Sequence, residues 1–179
     1  MKRQAMAICA AASALLVLAG SPADASVHRK KPAGWSCDFD DWCTKNTRSG
    51  PGSAHVVYWF RGDFYDTLIR TGNASYGIKH IQQGGSHKRK QNHPTDSAAV
   101  KLWDKALNNY AKGSKGSKYK DTMTHTYKYG RGKKARTMCV MTSDLHLKHG
   151  GKDYGRKGVL TAFWVKGHVG WKGCNKKFD

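Results

Sequence analysis

The chain has 179 residues, with 32 Lys and Arg against 12 acidic residues and a net charge of +20 at neutral pH. Every acid is Asp; there is no Glu. Such a charge points to polyanionic partners such as RNA, DNA, anionic membrane or acidic glycans, and the lack of Glu argues against a lysozyme-like hydrolase built on a raised-pKa glutamic acid.

Lys2 and Arg3 open the chain, and an alanine-rich apolar run follows from Ala5 to Leu18. Gly20-Ser21-Pro22-Ala23-Asp24-Ala25 then has the small-residue A-x-A form of a cleavage site. The pattern predicts a secretory signal peptide over residues 1–25 and an extracellular protein. The apolar run is too short to span a membrane, so no stable insertion is expected. The remaining 154 residues carry 30 basic and 11 acidic side chains, a balance of +19. That length suits one domain.

Of the five cysteines, Cys9 leaves with the signal peptide, and Cys37, Cys43, Cys139 and Cys174 stay. An even number in an exported chain predicts two disulfides. Three pairings are open. Cys37–Cys43 is favoured because the intervening segment is short, and Cys139–Cys174 would then tie the late strands to the C-terminal tail. Close C-x2-C pairs are lacking, which disfavours a four-cysteine zinc site.

Residues 26–54 read as a basic arm and a disulfide-stapled loop, and residues 55–179 as a single nucleic-acid-binding domain. His55 to Phe60 is an apolar run suited to a strand or a first helical turn. Asp63 can cap a short helix ending near Gly72. Tyr76 to Ile81 is a half-apolar segment. Residues 82–93, with Gly84-Gly85 and Lys88-Arg89-Lys90, form an exposed loop. Thr95 to Tyr110 is the clearest helix, capped by Thr95 or Ser97, with Val100, Trp103, Leu107 and Tyr110 on one stripe. After a Gly/Ser/Lys-rich loop, three β runs follow: Met123 to Tyr129, Arg136 to Leu147 and Gly158 to Val165. Glycines at 130–132, 150–151 and 155–158 mark turns between them. Helices first and an antiparallel sheet after predict an α+β fold.

Three histidines, His80, His87 and His93, fall within fourteen residues, among Lys79, Lys88 and Arg89. Metal-free RNA cleavage needs a base for the ribose 2′-OH, an acid for the leaving 5′ oxygen and cations on the phosphate. Imidazole suits both proton roles near neutral pH. His80, between Ile78 and Ile81, is expected to be held in place. His93, beside Pro94, is expected to set the helix start and contact substrate. The His146/His149 pair ends a strand and is a poor metal site, and His125 and His168 read as a strand residue and a tail residue. A hydroxyl at Thr161 can donate to a phosphate, although threonine is also common in strands. Tyr127, Tyr129 and Trp164 lie among lysines, the composition that stacks on unpaired bases.

The run Tyr76-Gly77-Ile78-Lys79-His80-Ile81, followed by His87, resembles the "G-h-x-H-I…H" signature (h, apolar) of the bacterial toxin-type ribonucleases grouped as barnase/EndoU/colicin E5–D/RelE-like. Gly158-Val159-Leu160-Thr161-Ala162-Phe163 is similar to that group's last-strand "G-V-h-T-h-aromatic" pattern. The resemblance implies an N-terminal helical part packed on a curved antiparallel sheet. It also implies metal-independent endoribonuclease activity leaving a 2′,3′-cyclic phosphate, with no cofactor. On that basis His80 and His87 are the expected acid–base residues, Thr161 contacts phosphate and Lys79 is an auxiliary cation. Lys88, Arg89, His93 and Trp164 are expected to bind substrate. The expected partners are RNA, single-stranded in preference, and an inhibitor or immunity protein, with the chain acting as a monomer. The alternative is a non-enzymatic cationic binder of nucleic acid or envelope polymers, of the antimicrobial type.

Overall fold

The protein's structure is a computed structural model that describes residues 51–60, 67–109, 115–116 and 121–178. The expected signal peptide, the expected basic arm, Cys37, Cys43, the expected Asp63 cap and Tyr110 lie outside the described residues.

After a short 3-10 turn (Gly52–Ala54), the first paired elements are strands and not a helix. Strand β1 (Val56–Phe60) pairs antiparallel with β2 (Thr67–Arg70). The helix expected to end near Gly72 is therefore a strand over its last turn. All four β2 residues are buried, because β1 covers one edge and β6 lies against β2. A fully buried four-residue strand has no alternation to betray it. Arg70 locks this junction. Its guanidinium donates to the carbonyls of Ala54, Tyr154 and Arg156. Burial lowers its pKa to about 10, with Tyr76 and Asp153 pulling the other way, so it remains charged.

Helix α1 (Gly77–Gln82) follows, and α2 (Ser97–Leu107) after it. The α2 cap is Asp96, between the two residues expected. Its extended backbone lets its carboxylate accept from the Ala99 N–H at 2.8 Å, the bond an N-cap side chain supplies. Ala99, Trp103, Ala106 and Leu107 point inward.

A four-stranded antiparallel sheet completes the body, in the order β3 (Lys115–Gly116), β4 (Thr122–Tyr129), β5 (Arg136–His149) and β6 (Lys152–Lys166). The fold is thus α+β. Gly150 and Gly151, both at positive φ, make the two-residue turn between β5 and β6. Gly155 and Gly158, expected to mark a turn, instead sit inside β6, where the ladder to β5 shifts register. Glycine signals a bulge as readily as a turn.

Cross-strand partners share a face. One face carries His125, Met138, Val140, Val159, Ala162 and Trp164, and α2 packs on it to form the main core with Phe60, Ile69 and Ile81. The other face carries Cys139, Met141, Thr161, Phe163 and Val165. A helix at the C-terminal tail, α3 (Trp171–Phe178), covers it. The Cys139–Cys174 disulfide bolts α3 down, and the Thr124 hydroxyl donates to Asn175 Oδ1 at 2.8 Å beside it. Closing a 35-residue separation by a disulfide stabilises a fold by about 3–4 kcal/mol in the chain-entropy account.

Candidate functional site

α1 begins at Gly77, whose φ of +78° and close approach to the Arg70 carbonyl exclude a side chain. This places Ile81 in the core and His80 beside it at 2% exposure. His80 Nδ1 lies 2.6 Å from the Ala74 carbonyl, which also accepts from the Gln83 amide at 2.7 Å. A carbonyl can only accept, so Nδ1 carries the proton and the neutral ring keeps its lone pair on Nε2. Among the described residues Nε2 has no hydrogen-bond partner.

The loop after α1 folds back on itself and does not trail into solvent. Gly84 and Gly85 are buried, the Gly85 N–H donates to the His80 carbonyl at 2.9 Å, and the Arg89 N–H donates to the Gly84 carbonyl at 2.7 Å. A short turn, Lys90–Asn92, then delivers His93. His93 is held as His80 is: Nδ1 lies 2.8 Å from both the Arg89 carbonyl and Asn92 Oδ1. Its Nε2 faces Gly85, where an added Cβ would come within 2.8 Å. Its ring packs on Phe163 with centroids 5.6 Å apart. Burial pushes the His93 pKa below the ordinary histidine value, against the upward pull of the Arg89 carbonyl; neighbouring His80 adds to the lowering. His93 is therefore neutral at neutral pH.

Here a small open cleft of about 20 Å³ is lined by His87, Arg89, Asn92, His93, Phe163, Lys177 and the Gly84–Ser86 turn. The structure thus brings His87 and His93 to one cleft, from one segment braced by β6, while His80, buried just behind it on α1, does not line the cleft. Lys88 and Arg89 are exposed on the same loop, with Lys88 at φ +54°. Lys79 is exposed on α1.

Two expected residues stand apart. Thr161 shares a sheet face with Phe163, but it is wholly buried and its hydroxyl meets no partner among the described residues. It does not line the cleft; Phe163 does. Trp164 lies on the opposite face, under the Arg136 guanidinium at 4.7 Å. The alternation that brings Phe163 to the cleft turns Trp164 away. Lys177 stands out in the sequence only as one of many evenly spread lysines; the disulfide-held α3 brings it to the cleft, and no local pattern signals that.

Three further histidines have structural partners. His125 Nε2 is 3.1 Å from the Thr142 hydroxyl in the core, His146 pairs with Asp153 at 2.7 Å, and His168 meets the Tyr129 and Gly130 carbonyls. Among the described residues no group of three or more His, Cys, Asp or Glu side chains is placed to hold a metal ion. Comparison with family models, with curated proteins and with solved structures gives no match.

Proposed function

We propose that this chain is a secreted, metal-independent endoribonuclease whose active site is the histidine cleft. The observation that carries the reading is the matched anchoring of two imidazoles: His80 and His93 each commit Nδ1 to a main-chain carbonyl and keep Nε2 for chemistry. Orientation through the remote nitrogen is what a proton-transfer histidine requires.

His93, held neutral by burial, is the base. It takes the proton of a ribose 2′-OH, and the 2′ oxygen attacks phosphorus. The bond from phosphorus to the 5′ oxygen breaks, and a protonated imidazole, His80 or His87, returns a proton to that oxygen. The products are a 2′,3′-cyclic phosphate and a 5′-OH. Arg89 and Lys177 offset the charge that builds on the phosphate. His93 thus moves from substrate contact to proton transfer, and Thr161, buried away from the cleft surface, is assigned no phosphate contact. The N-terminal assignments complete the proposal: residues 1–25 as a signal peptide, a Cys37–Cys43 disulfide in the stapled loop, and the toxin-type curved-sheet ribonuclease fold.

Single substitutions test the site. His80→Ala and His93→Ala should each lower kcat/KM on single-stranded RNA by about 10²–10⁴-fold, the range for a lost acid or base. The His93→Gln protein serves to check folding. The acid limb of the wild-type pH–rate profile should fall below about 6.5, because the base must be neutral and its pKa is depressed. Full activity of a folded His93→Ala protein would remove the assignment.

A second reading is a cationic binder without catalysis. It is favoured by exposed lysines that do not line the cleft, including Lys133, Lys134, Lys148, Lys152 and Lys172. RNA binding by a wild type that cuts nothing would support it.

A further inference from the structure

We propose that the sheet face opposite the histidine cleft carries a second, separate platform for single-stranded RNA. Beyond the edge of α2 that face presents two cross-strand rows: Tyr127–Met138–Trp164 and Tyr129–Arg136–Lys166. Tyr127, Tyr129 and Trp164 are half-buried, packed against the core on one side and open on the other. Cations sit on two of the rings. The Arg136 guanidinium lies 4.7 Å from the Trp164 centroid, and Lys105 Nζ lies 5.3 Å from that of Tyr127. Arg136 is fixed there by donating Nη1 to the Ala135 and Lys133 carbonyls at 2.9 and 3.2 Å.

This is the chemistry of unpaired bases and their phosphates. Aromatic rings and guanidinium planes stack on bases of any sequence, and lysines track the backbone. The charge is one-signed. Residues 122–129, 136–143 and 158–166, which build this part of the sheet, contain no Asp. The neighbouring acid, Asp104 on α2, accepts from the Asn108 amide. The proposal takes RNA as the polymer from the reading above, and the platform and the cleft lie on opposite faces of β6, with Trp164 on one and Phe163 on the other.

The test uses the oxidised protein without residues 1–25 and three probes. Oligodeoxythymidylate has no 2′-OH and reads binding alone, inorganic polyphosphate reads charge alone, and a dinucleotide substrate engages only the cleft. The Tyr129→Leu/Arg136→Gln variant should bind oligodeoxythymidylate about tenfold more weakly, the loss of roughly one stacked base. Its affinity for polyphosphate and its cleavage of the dinucleotide should stay within about twofold of wild type, while KM for long RNA rises. If that variant fails to fold, Tyr129→Leu alone carries the same test with a smaller loss. Unchanged oligodeoxythymidylate affinity would overturn the platform. So would an equal loss on polyphosphate, which would mark an unselective cationic patch. A wild type that binds but does not cleave overturns the nuclease reading alone.

Discussion

His125, on β4, sits wholly buried with its Nε2 3.1 Å from the Thr142 hydroxyl. Burial lowers its pKa from 6.5 to about 4, against an upward pull from Asp144. The unfolded chain therefore binds a proton that the folded one refuses. Stability from this group is complete above about pH 6.5 and is lost as the pH falls toward 4, an effect of about 3 kcal/mol. Denaturant midpoints across that range should fall steeply for wild type and less so for His125→Met. Equal slopes would mean that His125 does not govern the acid limb of stability. The same physics acts more mildly on His93, where it serves proton transfer. Both histidines are ordinary letters in the sequence. Only the neighbours that fold around them separate a core residue from a candidate base.

At the scale of elements, glycines decide where β6 can run. Gly158 has φ +73°, and a Cβ there would come within 2.2 Å of the Leu68 carbonyl oxygen, the point where β6 meets β2. Gly158→Ala should destabilise the protein by more than about 2 kcal/mol, combining backbone strain with a main-chain clash. Gly150→Ala, at φ +55° with nothing within 4 Å, should cost only the backbone part, about 1 kcal/mol. Equal losses in urea melts would contradict this account of the β2–β6 junction. Strands β4 and β5 were legible because alternation and flanking turn glycines coincide there, whereas β6 was legible only from Gly158 on, since Gly155 and Gly158 read as a turn and are bulge glycines inside the strand. Strand β2 was not, since four buried residues carry no period. Helix α3 was not either: Trp-Lys-Gly-Cys-Asn-Lys-Lys-Phe is a weak helix sequence, and the disulfide and the Thr124–Asn175 bond hold it from outside.

For the molecule as a whole, the sequence made the histidine segment visible by density alone, but not its pairing. His93 reaches the cleft beside His87 only because Gly84 and Gly85 reverse the loop and Phe163 receives the ring. His87, given equal rank with His80 by spacing, lies exposed on the cleft rim. Thr161 matched a strand pattern whose alternation buries it. The charge was legible at once, and its division between a cleft and an opposite aromatic face was not, because that division follows from which residues of β6 point to which side. The central claim is cleavage of RNA at the histidine cleft without metal. It is tested most directly by incubating the oxidised protein, without residues 1–25, with a mixed single-stranded RNA in excess chelator and identifying the product ends. The account predicts cleavage that leaves 2′,3′-cyclic phosphates and is lost in the His80→Ala/His93→Ala protein. Intact RNA bound to a folded wild-type protein, or 5′-phosphate ends formed only when divalent metal is restored, would contradict it.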